Sequence, residues 1–260
     1  MSAHAADRPR GGGMISLLSS ERRKLTSIRA PWIVLGAFLA AAAGILALDL
    51  GEGPNTFDPV GAEHAMPIFT SLLPGLVLAY SLGMLAVSAD HRHGTYVPTY
   101  LVTPRRGRVL VAKLLTAVAA GTLAALLSAV VVTAIGLPWL AGDGVDLGPV
   151  LRDPVFWGRL LASAVAAAVM AVFGAAVAAL LRSVLAAVVV FVGLFALEMT
   201  LATQVPSGTY DWMVFHSLIA LLSLDSFDAP PFWPGSLVVL GWAAVVAVAA
   251  AVRTVRGDVR

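Results

Sequence analysis

The sequence predicts an all-α integral membrane protein, with six transmembrane helices preceded by an amphipathic interfacial helix and with both termini in the cytoplasm. Hydrophobic residues make up 59% of the 260 residues and charged residues only 12%, and the mean hydropathy is +0.88. A soluble domain has about 45–50% apolar and about 25% charged residues. Because so few charges cannot cover a water-facing surface, much of the surface must face lipid.

Six apolar runs are long enough to cross a hydrocarbon core of about 30 Å, which takes roughly 20 helical residues. They predict a single transmembrane domain over 31–255, with spans at about 32–50, 66–89, 109–140, 158–181, 183–205 and 236–253. Pro67 and Pro74 fall in the second run and could kink it. The outer loop at 206–235 is partly apolar, which fits either a re-entrant segment or an ordinary helix that covers the bundle.

The residues ahead of the first run divide into a polar, glycine-rich tail at 1–13, predicted to be disordered, and an amphipathic helix at 14–30. A basic amphipathic helix is typical of the membrane interface. Pro31 is predicted to end it. The competing interpretation is a signal peptide, which the long apolar run disfavours. The apolar face is predicted to hold Met14, Leu17, Leu18, Leu25 and Ile28, and the polar face Glu21, Arg22, Arg23, Lys24 and Arg29.

The distribution of lysine and arginine sets the orientation. Of the 17 such residues, fifteen lie in the N-terminal segment, the second and fourth loops and the C-terminal tail, whereas only Arg152 and Arg159 lie on the other side. The positive-inside rule places the basic side in the cytoplasm. Both termini are then cytoplasmic, which requires an even number of spans and favours the cell membrane as the location.

Several classes of chemistry are excluded by motif. The chain has no cysteine, so it has no disulfide, thiolate metal site or cysteine nucleophile. Its two lysines, Lys24 and Lys113, follow Arg23 and Ala112, so neither belongs to a phosphate-binding P-loop. Metalloprotease and serine-hydrolase motifs are also missing. The sequence therefore predicts no enzyme and no cofactor, and any ATP must be bound by another polypeptide.

The stretch at 90–115 lies on the basic side, between the second and third spans. Gly94-Thr95 and Thr103-Pro104 bound a short helical segment. Arg105 and Arg106 follow the second of these pairs, and Lys113 marks the entry into the third span. Such a basic cluster would hold the loop against anionic headgroups or an acidic partner, although a cytoplasmic loop is basic in any case.

This stretch resembles the cytoplasmic loop of permeases of type-2 ATP-binding-cassette (ABC) exporters. The matching positions are Asp90, Gly94, Thr95, Leu101, Thr103, Pro104, Arg106, Lys113 and Leu114, with Asp90 where glutamate is usual. The N-terminal helix with Glu21, Arg22, Arg23, Lys24 and Arg29 similarly resembles the connecting helix of that family. The resemblance extends in layout over the whole chain.

The resemblance implies a permease that pairs with a second copy or a sister permease and sits on a separate ABC ATPase subunit. The second cytoplasmic loop, at 90–108 and including Arg105, would be the coupling helix that docks on this ATPase. Cargo of unidentified chemistry would be exported along a path lined by the second and fifth spans. The implied partners are thus the ATPase, another permease and the lipid bilayer, and not nucleic acid.

Glu198 is the one clearly intramembrane acid. It lies about 15 residues into the fifth run, roughly 22 Å from the cytoplasmic end at 1.5 Å per residue. A carboxylate at this depth is a candidate for the translocation path. Alternatively, it reaches the outer interface or is a hydrogen-bonded acid. For the chain as a whole, the alternative to transport is a membrane anchor or assembly protein without cargo.

Overall fold

The computed structural model describes residues 14–51, 61–92, 106–201, 204, 212–222 and 232–256. Within these ranges the chain is all-helical, with short turns and no strand, so the predicted all-α class is confirmed for this part of the chain. The tail at 1–13 lies outside the described residues. The helices are α1 (Met14–Ser27), α2 (Arg29–Gly51), a 3-10 turn (Gly61–Ala65), α3 (Met66–Thr70), α4 (Leu73–Arg92), α5 (Arg106–Gly142), α6 (Leu147–Arg152), α7 (Pro154–Leu181), α8 (Val184–Leu201), α9 (Val214–Leu221) and α10 (Phe232–Arg256).

Five of these helices, α2, α5, α7, α8 and α10, are long and apolar enough to cross a membrane. The 3-10 turn with α3 forms a sixth candidate together with α4, from which it is bent by 41°. The length and composition of the helices are those of a multi-pass membrane protein.

The bend falls where proline chemistry requires it. A proline ring inside a helix clashes with the carbonyl four residues earlier, which for Pro74 is the carbonyl of Thr70, and α3 ends at Thr70. The hydroxyl of Ser71 donates to the carbonyl oxygen of Pro67 at 2.7 Å. The amide of Leu72 donates to Phe69 at 3.1 Å. The break therefore leaves these polar groups satisfied.

Pro31 does not end the amphipathic helix, contrary to the sequence prediction. The helix ends at Ser27, and Pro31 lies in the first turn of α2, which begins at Arg29. Proline is tolerated in a first turn because the amide it lacks would have no helical acceptor there. Trp32 closes the corner, since its indole N–H donates to the carbonyl oxygen of Thr26 at 3.1 Å.

The core is built around α7, which crosses α4 at backbone contact. A methyl group built on Gly83 would lie 2.1 Å from the carbonyl oxygen of Ala171, and one built on Gly174 would lie 2.1 Å from that of Tyr80. Both positions therefore require glycine. In lipid, such close approach of small residues drives helix association, because the apolar surface gains nothing by leaving lipid tails.

A two-residue turn joins α7 to α8. Arg182 has a left-handed conformation with φ of 54°, and its amide donates to the carbonyl oxygen of Ala178 at 2.9 Å. The hydroxyl of Ser183 accepts the amide of Ala186 at 3.3 Å. Only Ala187 and Glu198 of α8 are buried, so this helix lies at the periphery of the bundle.

Asp153 connects α7 to the 3-10 turn at the end of the bundle opposite α1. One carboxylate oxygen accepts the amide of Val155 at 2.9 Å and so caps α7, while the other accepts the amide of Ala62 at 3.0 Å. Both hydrogen bonds lower the pKa of Asp153 below its ordinary value of 3.8, and the bond from Ala62 has the larger effect.

We therefore expect Asp153 to make stability depend on pH in acid. Because its pKa is lowered in the folded chain, its contribution is present above about pH 4 and is lost as the pH falls through the folded value. Asp153→Asn should be less stable than wild type near pH 6, since a neutral amide is a weaker acceptor, and the difference should shrink as the pH falls below about 4. Melting temperatures across this range in detergent would show it. Asp143→Asn controls for the loss of one charge, and parallel curves for wild type and Asp153→Asn would contradict it.

Candidate functional site

The first candidate site is the junction of α1 with the beginning of α5. Glu21 lies on the same face of α1 as Leu25, and both are buried. The prediction that Glu21 lies on the polar face was therefore wrong. Its spacing from Leu18 and Leu25, three and four residues, places it in the middle of the apolar stripe. Arg22, Arg23 and Arg29 are exposed, as predicted.

Both lysines of the chain bind the Glu21 carboxylate. The ammonium of Lys113 lies 2.9 Å from one oxygen, and that of Lys24 lies 2.8 Å from the other. Lys113 and Glu21 are both buried, with side chains 6% and 5% exposed, whereas the side chain of Lys24 is 29% exposed. A buried pair of this geometry fixes one arrangement of two elements, because each charge is costly without the other. The pair therefore fixes α1 against α5.

The predicted coupling loop is bracketed by described helices but lies mostly outside the described residues. Asp90 belongs to the last turns of α4 and Arg106 begins α5, and the side chain of neither is described. Lys113 lies two turns after Arg106, so the helix that leaves this loop is the one bound to α1. The positions outside the described residues are Gly94, Thr95, Leu101, Thr103, Pro104 and Arg105.

Comparisons with protein families and with curated proteins give no match. No protein-family model matches the chain, and no curated protein matches it. Within the described ranges, no group of three or more histidine, aspartate or glutamate residues could hold a metal ion.

The second candidate site is the carboxylate of Glu198, near the end of α8. Glu198 is 5% exposed, and its oxygens accept the amides of Val214 at 2.8 Å, Phe215 at 2.7 Å and His216 at 3.4 Å. These amides form the first turn of α9, whose N–H groups have no acceptor within the helix. A negative charge is also favourable at a helix N-terminus. The carboxylate thus holds α9 against α8.

An aromatic cluster continues from this site into the core. The ring of Phe215 lies 5.2 Å from those of Phe191 and Phe195, and Phe191 lies 4.4 Å from Tyr80. The buried Tyr80 hydroxyl donates to the carbonyl oxygen of Ala187 at 2.9 Å. The cluster links α4, α8 and α9. Sequence reasoning missed it, since aromatic residues far apart in the chain carry no signal of their contact.

The contacts of Glu198 predict that it anchors α9, while its role in a translocation path stays a prediction. Glu198→Leu should release the first turn of α9 and raise hydrogen exchange of the amides of Val214, Phe215 and His216 by at least tenfold, equivalent to about 1.4 kcal/mol of local opening. Exchange read by mass spectrometry would measure this. Met199→Leu, an exposed change on the same helix, is the control. Unchanged exchange in Glu198→Leu would contradict the anchor.

Proposed function

We propose that this chain is the permease subunit of an ABC exporter in the cell membrane, with six spans, both termini in the cytoplasm and a separate ATPase as its energy source. The observation that carries the proposal is the buried pair between Glu21 and Lys113. It joins an interfacial helix to the helix that leaves the basic loop, which are the two elements an ATPase would push in the family that the sequence resembles.

The mechanical consequence is that α1 and α5 respond to such a push together. A force on the predicted coupling loop at 90–108 reaches α5 directly, and α5 carries α1 with it through the buried pair. Lys24 adds a second, partly exposed contact to the same carboxylate. The junction therefore supports a transmission role for α1 better than that of a passive lipid anchor.

The orientation rests on the unequal charge of the two ends of the bundle. The end that holds α1 carries Arg22, Arg23, Lys24 and Lys113, whereas Arg152 and Arg159 are the basic residues at the opposite end in the described part of the chain. The positive-inside rule assigns the first end to the cytoplasm.

Single-cysteine labelling tests this topology on a background that contains no cysteine. On intact cells, a membrane-impermeant maleimide should label Asp143→Cys, which lies on an exposed turn, and should label Ser20→Cys on exposed α1 only after permeabilisation. Labelling of Ser20→Cys on intact cells would overturn the orientation.

Co-purification tests the transport role. The proposal expects a P-loop ATPase encoded beside this gene to co-purify with the chain and to be lost when Arg105 and Arg106 are both changed to glutamate. A matched reversal of Arg253 and Arg256 on the C-terminal helix should leave the complex intact. Normal assembly and export in the Arg105/Arg106 variant would refute coupling through this loop. If no ATPase co-purified with the chain, this result would favour a membrane anchor or assembly protein.

A further inference from the structure

A long apolar groove opens on the surface between α1, α2, α4 and α5. Its volume is about 660 Å³, and its lining is almost wholly apolar. The floor is formed by α5, with Leu115, Ala119, Leu123 and Leu127 in successive turns. Arg22 lies among the lining residues contributed by α1.

The length of the groove fits an acyl chain of one leaflet. From Leu115 to Leu127 the floor runs for about 18 Å at 1.5 Å per residue, which is slightly more than half of a core of about 30 Å and so matches one leaflet.

The charge at the groove is suited to a phosphate. Arg22 is exposed, and none of the residues that line the groove is acidic. The neighbouring Glu21 is turned away and bound to Lys24 and Lys113. Trp32, 58% exposed and also lining the groove, is of the type that sits at headgroup level.

We propose that this groove binds one anionic phospholipid of the leaflet that contains α1, with an acyl chain along α5 and the phosphate on Arg22. An arginine presents several donors in a fork that matches phosphate oxygens. The bound lipid would fill the space beneath α1 and support the helix beside the face that carries the Glu21 pair. This lipid site is independent of any transport activity.

Native mass spectrometry of the purified chain tests the site, with phosphatidylglycerol and phosphatidylcholine offered in equal amounts in the detergent. Wild type should retain one phosphatidylglycerol in preference to phosphatidylcholine. Arg22→Gln should lower that preference about fivefold, the effect of one basic residue near an anionic surface. Arg23→Gln, which removes the same charge from the adjacent exposed position, should not, and Arg22→Lys should retain most of the preference.

A second pair of variants tests the acyl chain. Ala119→Phe fills the groove and should abolish retention of the lipid, whereas Val130→Phe, on an exposed part of α5 that does not line the groove, should leave it intact. Equal behaviour of Arg22→Gln and Arg23→Gln, or of the two phenylalanine variants, would mean ordinary annular lipid and would overturn the site. So would a dimer that Ala119→Phe dissociates, because the groove would then hold a second copy.

Discussion

Gly83→Val should prevent α4 from packing on α7 and leave little folded protein after detergent extraction. Its Cβ would lie 2.1 Å from the carbonyl oxygen of Ala171, and a backbone atom cannot rotate away as a side chain does. Overpacking of a core by side chains costs about 1–3 kcal/mol, and here two helices must separate along their whole crossing. We expect a loss of at least about 3 kcal/mol, read as a lower melting temperature and an aggregated elution profile.

Gly36→Val on α2 is the matched control, because no atom lies within 4 Å of the Cβ that it adds. Gly174→Val should behave like Gly83→Val, since its Cβ would lie 2.1 Å from the carbonyl oxygen of Tyr80. If Gly83→Val eluted and melted as Gly36→Val does, the helices would not be in backbone contact.

Glu21→Leu should be the most damaging single change at the junction of α1 and α5. It takes the carboxylate from the buried ammonium of Lys113, and removal of one partner of a buried ion pair costs about 3–5 kcal/mol. Lys113→Met should cost less, because Glu21 keeps the ammonium of Lys24 2.8 Å away. Lys24→Met should cost least, because Lys24 is partly exposed and Glu21 keeps the buried ammonium of Lys113 2.9 Å away. Thermal unfolding in detergent would give the order.

The double variant Glu21→Leu/Lys113→Met separates pairing from packing. Replacement of both charges by apolar groups of similar volume is often neutral, so this variant should recover most of the stability that Glu21→Leu loses. Arg23→Met, on the exposed side of α1, controls for the loss of a charge. A double variant that unfolds at the temperature of Glu21→Leu would contradict a pairwise interaction.

The all-helical fold was predictable because the composition already indicates a surface that faces lipid. A segment that spans lipid must form all of its backbone hydrogen bonds internally, which a helix does. The break before α4 was predictable in part, since the clash of Pro74 with the carbonyl of Thr70 follows from proline geometry. By contrast, the sequence does not predict that the two helices cross at Gly83 and Gly174. The chain has 24 glycines, and local pattern does not say which of them face one another.

The two candidate sites also differ in how far the sequence predicts them. Glu21 could have been found, since a charge three residues after Leu18 and four before Leu25 falls on an apolar stripe and demands a partner. The sequence alone does not choose that partner among its 17 lysines and arginines. The partners of Glu198 are instead backbone amides of α9. Because every residue except proline has a backbone amide, the sequence does not indicate which of them Glu198 binds. The position of Glu198 in the apolar run predicts its depth in the membrane, but not which groups its carboxylate contacts.

The sparse burial of α8 has a consequence for how the protein exchanges neighbours in the bilayer. Its two buried residues, Ala187 and Glu198, are also its polar attachments, to Tyr80 and to the first turn of α9. Between them Phe191 and Phe195 join the aromatic cluster, but most of the helix surface is exposed and suited to lipid tails, which are as apolar as leucine. A second protein surface could therefore replace those tails at little free-energy cost, so α8 is the flank on which the bundle can gain or lose a neighbour without disturbing its own core.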